Sequence, residues 1–181
     1  PRAGLVVVSV NPLYTTKELE FQLNDSGAKA IVILENFAST LENAIKTTSG
    51  LKHVIVTKIS DVVAYPKKLL VDLYVHWVKK MVPKWQMPAY ISYNEVIDNG
   101  AKHYFDGVDI KSSDIAFLQY TGGTTGKSKG AVLTHRNLLA NIEQAVAWLS
   151  GIANEGKEII ITALPLYHIF SLTANCLTFA R

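Results

Sequence analysis

Apolar and polar positions alternate along this chain in short strand-like runs separated by segments of helical period. Leu5-Val6-Val7-Val8-Ser9-Val10 reads as a strand, broken by Asn11-Pro12. Thr15-Thr16-Lys17-Glu18 then has capping-box spacing, because Thr15 can accept the amide of Glu18 while Glu18 reaches back. Leu19, Leu23 and Phe21 start a helical pattern there, closed by Gly27. Ala30 to Leu34 is a β-branched strand, Phe37 to Thr48 a helix closed near Gly50, and His53 to Ile59 a further strand.

The second half repeats the rhythm. Ile115 to Tyr120 is a buried strand that empties into a Gly- and Thr-rich loop from Thr121 to Gly130, and Ala131-Val132-Leu133 is a strand remnant. Thr134 N-caps a helix from about His135 to Leu149, and Lys157 to Leu164 predicts another strand, ended by Pro165. Strands alternating with helices of this length predict an α/β fold, a parallel doubly wound sheet with flanking helices. In such sheets ligands gather outside the carboxyl ends of strands. The loop after Tyr120 and the turn Leu164-Pro165-Leu166-Tyr167-His168 would then share one edge.

Composition narrows the class. With 181 residues and 49% hydrophobic, the chain can bury a core of its own, which excludes a disordered or fibrous protein. A net charge of +3 is too small to indicate nucleic acid, and the basic excess is local: Tyr65 to Trp85 carries Lys67, Lys68, Lys79, Lys80 and Lys84 against Asp72. Within it Lys68, Asp72, His76 and Lys79 recur at helical spacing as a narrow polar stripe. Leu69, Leu70, Leu73, Tyr74, Trp77, Val78 and Met81 cover much of the rest. Two readings stand for that apolar arc: packing against protein, or docking on an anionic membrane with Lys79, Lys80, Lys84 and Trp85 assisting. No apolar run approaches the roughly 18 residues of a membrane span. Cys176 is the single cysteine, so no internal disulfide forms, and its neighbours Leu172, Leu177 and Phe179 suggest a buried thiol. The start at Pro1-Arg2-Ala3-Gly4 does not resemble a signal peptide, and Ala174 to Arg181 is apolar without a cap. The expectation is an internal fragment.

Thr121-Gly122-Gly123-Thr124-Thr125-Gly126-Lys127-Ser128-Lys129-Gly130 carries the chemistry. Glycines let backbone amides approach an anion, hydroxyls add donors, and lysine supplies a mobile charge. Gly126-Lys127-Ser128 has a Walker A ending, but position 121 is Thr where that motif needs Gly, and Gly122 leaves the spacing one residue short. His168 follows Pro-Leu-Tyr on the expected ligand edge, where it either orients a substrate or merely finishes a strand. His53, His76 and His103 have no such setting, and His135 and Arg136 fit a helix start.

From Tyr120 to Gly130 the sequence resembles the signature loop of adenylate-forming enzymes, the superfamily of acyl-CoA synthetases, luciferases and peptide-synthetase adenylation domains. It departs at Gly122, usually Ser or Thr, and at Ser128, often Pro. The resemblance covers the whole chain and narrows to bacterial long-chain fatty acid CoA ligases. It rests on Leu5 to Asp25 with Val10-Asn11-Pro12-Leu13-Tyr14-Thr15, on Phe117 to Asn141 with Leu133-Thr134-His135-Arg136-Asn137, and on Thr162 to Phe170 with Leu164-Pro165-Leu166-Tyr167-His168.

The resemblance implies that a fatty carboxylate attacks the α-phosphate of ATP, pyrophosphate leaves, and the thiol of coenzyme A displaces AMP. It implies nucleotide binding by Tyr120, Thr121, Gly122, Gly123, Thr124, Thr125, Gly126, Lys127, Ser128, Lys129 and Gly130, with Lys129 and His168 catalytic. Tyr167 and His168 would meet the acyl substrate, and Thr121 would be a ligand of Mg2+. The chain would be part of a large N-terminal domain, with 65–85 its basic amphipathic segment and 120–131 its nucleotide loop. The family's Glu-bearing magnesium motif, ribose-binding Asp and catalytic Lys of a small C-terminal domain have no counterpart here, so the piece alone is expected to be inactive. Medium-chain or aryl-CoA ligases and a non-catalytic nucleotide- or lipid-binding module remain alternatives. The charge balance, the single cysteine and the basic segment together lead to the expectation of a cytoplasmic protein with no nucleic-acid partner, with peripheral contact at the inner face of the membrane and a homodimer both left open.

Overall fold

The computed structural model describes residues 2–121, 128–154 and 156–179. In chain order its elements are β1 (Val7–Val8), α1 (Thr16–Ser26), β2 (Ala30–Leu34), α2 (Ala38–Ala44), β3 (His53–Thr57), α3 (Lys67–Leu73), β4 (Tyr90–Ser92), α4 (Tyr93–Gly100), β5 (Ile115–Thr121), β6 (Lys129–Thr134) and α5 (His135–Leu149). They form two compact units, one from Pro12–Asp106 and one from the segment up to Asn11 joined with the chain from Gly107 onward.

In the Pro12–Asp106 unit, β2, β3 and β4 make a parallel sheet, with Ala30 opposite His53 and Val54 opposite Tyr90. The capping box forms as its spacing predicts: the Glu18 amide donates to Thr15 Oγ1 at 3.4 Å and the Thr15 amide to Glu18 Oε2 at 2.8 Å. These bonds from the Thr15 backbone and then its hydroxyl hold the Glu18 carboxyl below the usual carboxylate range. Gly27 ends α1 in the left-handed region at φ 62°, where a side chain would be strained. Leu19, Leu23, Ile31, Ala38, Leu41, Ala44 and Val56 are buried. The helix expected over Phe37 to Thr48 shortens to α2, entered by a 3-10 turn at Glu35–Phe37 and ended where the Thr47 and Thr48 hydroxyls donate to the Ala44 carbonyl.

The basic segment is helical, with its polar stripe turned to its own unit and its apolar arc left exposed. α3 runs on into a π-helical stretch, Tyr74–Val78, closed by Lys80 at φ 49°. Its polar stripe faces the unit: Ser60 Oγ donates to Asp72 Oδ1 at 2.5 Å, Lys68 Nζ lies 3.0 Å from Asp61 Oδ1, and His76 Nε2 lies 3.4 Å from Glu35 Oε1. Leu69, Leu70, Leu73, Trp77, Val78 and Met81 are exposed, and only Val75 is buried among the apolar residues of 67–78. His76, for which the sequence offers no ligand-edge setting, lies instead between the buried Glu35 carboxylate and the Asp72 carbonyl, 3.0 Å from its Nδ1. Trp85 packs edge-on against Tyr90 with ring centroids 4.9 Å apart, so the exposed tryptophan of this surface is Trp77.

In the other unit β5 is central, parallel to β1 with Val7 opposite Phe117, and antiparallel to β6 with Tyr120 opposite Gly130. Ala116, Phe117 and Leu138 form its core, against which Val7, Leu133, Leu172 and Leu177 pack. The antiparallel pair differs from a wholly parallel sheet for a geometric reason. A parallel crossover takes about a dozen residues or more, and the loop between Thr121 and Lys129 is shorter than that. Thr134 caps α5 as expected: its hydroxyl accepts the Asn137 amide at 3.2 Å and its amide donates to Asn137 Oδ1 at 3.0 Å. The His135 and Arg136 amides donate to the Asp114 and Ser112 carbonyls, which bears out a structural role for that helix start.

Two expected strands are corrected. Leu5 to Val10 pairs only at Val7–Val8, with Leu5 and Val6 exposed. Lys157 to Leu164 forms no strand: among the described residues no ladder accepts it, Ile159 is 94% and Ile161 85% exposed, and its amides make local bonds such as Lys157 to the Asn154 carbonyl. A strand is stable only when a neighbour satisfies its backbone, and apolar β-branched residues do not replace that partner.

Candidate active site

β5 carries the first half of the site. Tyr120 is buried, and its ring lies so close to residue 130 that a Cβ there would stand 3.1 Å from the ring's Cζ and 3.2 Å from Cε2. A side chain at Gly130 would therefore need the ring of its cross-strand partner to give by a few tenths of an ångström. One step further Thr121 and Lys129, also paired in register, are both exposed, placing a hydroxyl and an ammonium at the mouth of the connecting loop. Ser128 is half-buried beside them. Gly122, Gly123, Thr124, Thr125, Gly126 and Lys127 lie outside the described residues.

The second half is the turn at Pro165–His168. The His168 amide donates to the Pro165 carbonyl at 3.0 Å, and the His168 carbonyl accepts the Leu172 amide at 2.9 Å, leading into a π-helical segment, Ser171–Leu177. Buried Ser171 anchors the turn from behind by donating to the Leu164 carbonyl at 2.7 Å. Tyr167 is half-buried, His168 is exposed, and their rings lie 5.0 Å apart at 32°.

What joins the halves is Gln119, which the sequence reading passed over. Its Nε2 donates to the Tyr167 carbonyl at 2.9 Å, bringing the turn to the end of β5 although Lys157–Leu164 is not a strand. The signal was present: a lone amide side chain in the apolar run Ile115 to Tyr120 marks a position where packing alone does not choose the residue. Thr121 and His168 thus belong to one unit and one tethered loop pair. Cys176 is half-buried in the Ser171–Leu177 segment.

The donor set suits an oxyanion. Hydroxyl, ammonium and backbone amides are hydrogen-bond donors for phosphate oxygens. Among the described residues no group of three or more His, Cys, Asp or Glu side chains converges as a metal cage. No described helix is long and apolar enough to cross a membrane.

The family model described as AMP-binding enzyme matches residues 1–181. A long-chain-fatty-acid–CoA ligase of Salmonella typhimurium is 52% identical over 178 residues, covering 98% of this chain and 32% of that protein. Its counterpart in Haemophilus influenzae is 50% identical over 182 residues with the same coverage. The crystal structure of ATP-bound MatB from Rhodopseudomonas palustris superposes with a TM-score of 0.64 at 26% identity, over 99% of this chain and 29% of that one. The chain spans about a third of the length of the curated relatives it matches.

Proposed function

This chain belongs to the AMP-binding enzyme family, and on that premise we propose that it supplies part of the active site of a long-chain fatty acid CoA ligase. The observation that carries the reading is the tethered pair of loops in one unit: the phosphate-type donors of the β5–β6 hairpin beside the Tyr167–His168 turn. Relatives near 50% identity that are long-chain-fatty-acid–CoA ligases support the choice of substrate.

In this reading the loop from Thr121 to Gly130 cradles the β- and γ-phosphates of ATP. Thr121 donates from its hydroxyl, and Gly130 lets the strand pass close to Tyr120 so that the hairpin keeps its register. Lys129 balances the charge that grows on pyrophosphate as the α-phosphate accepts the fatty carboxylate, an electrostatic role that needs no covalent bond to the protein. His168 orients the attacking carboxylate, and Tyr167 flanks the acyl chain. The hydroxyl of Thr121 fits a Mg2+ held mainly by phosphate oxygens, where the ion would neutralise charge on the leaving group. Coenzyme A then takes the acyl group from AMP.

The exposed apolar arc of 67–81, bordered by Lys67, Lys79, Lys80 and Lys84, supports peripheral contact with an anionic membrane surface. Such contact would suit an enzyme whose substrate partitions into lipid.

The test is a nucleotide assay on the complete reading frame that carries this chain. AMP and pyrophosphate that appear only with palmitate support the reading, and ADP or palmitate-independent turnover defeats it. Lys129→Ala should lower kcat by on the order of a hundredfold or more, as loss of a preorganised transition-state donor does.

A further inference from the structure

Gln119 is 6% exposed on a strand whose other buried residues, Ala116, Phe117 and Tyr120, are apolar or aromatic. The bond from its Nε2 to the Tyr167 carbonyl fixes which way round the amide sits, because a carbonyl can only accept. That leaves Oε1 buried with no hydrogen-bond partner among the described residues. An apolar side chain of similar length would spare the protein an unmet acceptor, so the amide is a poor choice if its role is only to stabilise the core. What it provides is a tether. Side chains two apart share a strand face, so Gln119 lies on the same face of β5 as Thr121, which opens the phosphate-type loop. At its other end it holds the residue immediately before His168.

We propose that Gln119 is a positioning residue, whose amide holds the Tyr167–His168 turn against the end of β5 so that His168 meets the fatty carboxylate beside the ATP phosphates. The inference rests on the ligase reading for its substrate, but the tether itself is a property of this chain. A displaced turn would misplace the attacking carboxylate while leaving the phosphate cradle intact, so the defect belongs to the acyl substrate and not to the nucleotide.

The experiment compares wild type, Gln119→Met and Gln119→Glu in the complete reading frame. Measured are the palmitate and ATP constants, Tm, and hydrogen exchange across 165–170. Gln119→Met should lower kcat/KM for palmitate on the order of tenfold to a hundredfold, with the KM for ATP and the Tm unchanged and exchange at Tyr167 and His168 faster. Gln119→Glu should regain palmitate activity relative to wild type as pH falls, because a protonated carboxyl can donate to the Tyr167 carbonyl and a carboxylate cannot. Gln119→Met should show no such recovery. Wild-type palmitate constants in Gln119→Met overturn the proposal, as does a loss shared equally by palmitate, ATP and Tm. If wild type forms no AMP from palmitate, the ligase reading fails by itself and exchange decides the tether: unaltered rates in Gln119→Met overturn it, faster rates at Tyr167 and His168 support it.

Discussion

At Gly130 the backbone passes so near the Tyr120 ring that the smallest side chain would force a shift of a few tenths of an ångström in a buried aromatic. Gly130→Ala should therefore cost about 1–3 kcal/mol, the range for overpacking a filled interior, read as a lower midpoint in denaturant at unchanged slope. An unchanged midpoint would mean that the ring yields freely. The sequence marks Gly130 as part of a glycine-rich loop, which suggests backbone approach to an anion, whereas the contact on the strand side is with Tyr120. Gln119 shows the same limit from the other direction. Composition shows that a polar group interrupts an apolar strand, but its partner is a carbonyl far along the chain that no local pattern reveals.

Elements whose ends are set by local chemistry were legible almost to the residue. α1 and α5 begin where Thr15 and Thr134 can cap them, because a capping box involves groups three residues apart. Lys157–Leu164 was not legible, since a strand depends on a partner supplied elsewhere, and neither was the direction faced by α3. Helical period says which residues share a face but not which face is covered, and here Glu35, Ser60 and Asp61 draw the polar stripe inward. At Asp61 burial by itself would raise the carboxyl's pKa. The Lys58 amide, the side chains of Lys68 and Asn94 and the charge of Lys68 outweigh it and hold the group below the usual range. Its folded pKa being the lower one, its contribution is complete above the unfolded value and is lost as pH falls through the folded value. The Pro12–Asp106 unit should therefore weaken below about pH 4. Asp61→Asn should cost about 1–3 kcal/mol at neutral pH and remove that part of the acid sensitivity, measured by urea midpoints across pH. A variant with the wild-type acid profile would refute the assignment.

For the molecule as a whole, the unit-facing polar stripe leaves an outward arc of Leu69, Leu70, Leu73, Trp77, Val78 and Met81 next to four lysines. Each lysine near an anionic bilayer is worth about 1 kcal/mol, so reversing Lys79, Lys80 and Lys84 to Glu should weaken sedimentation with phosphatidylglycerol vesicles on the order of a hundredfold or more. Binding to purely zwitterionic vesicles should be weak in both proteins, and equal binding of wild type and variant to anionic vesicles would rule out the membrane reading. The connectivity of β1 bears on how the chain reaches this state. Its only paired residues, Val7 and Val8, join Phe117 and Leu118, and everything between Pro12 and Asp106 forms a contiguous unit of its own. During synthesis that unit can complete its fold while β5 is still unmade, whereas β1 must wait across the longest loop closure in the sheet. β1 is thus made long before the strand it pairs with, and its apolar residues Val7 and Val8 stay unpaired on the nascent chain until Phe117 and Leu118 follow.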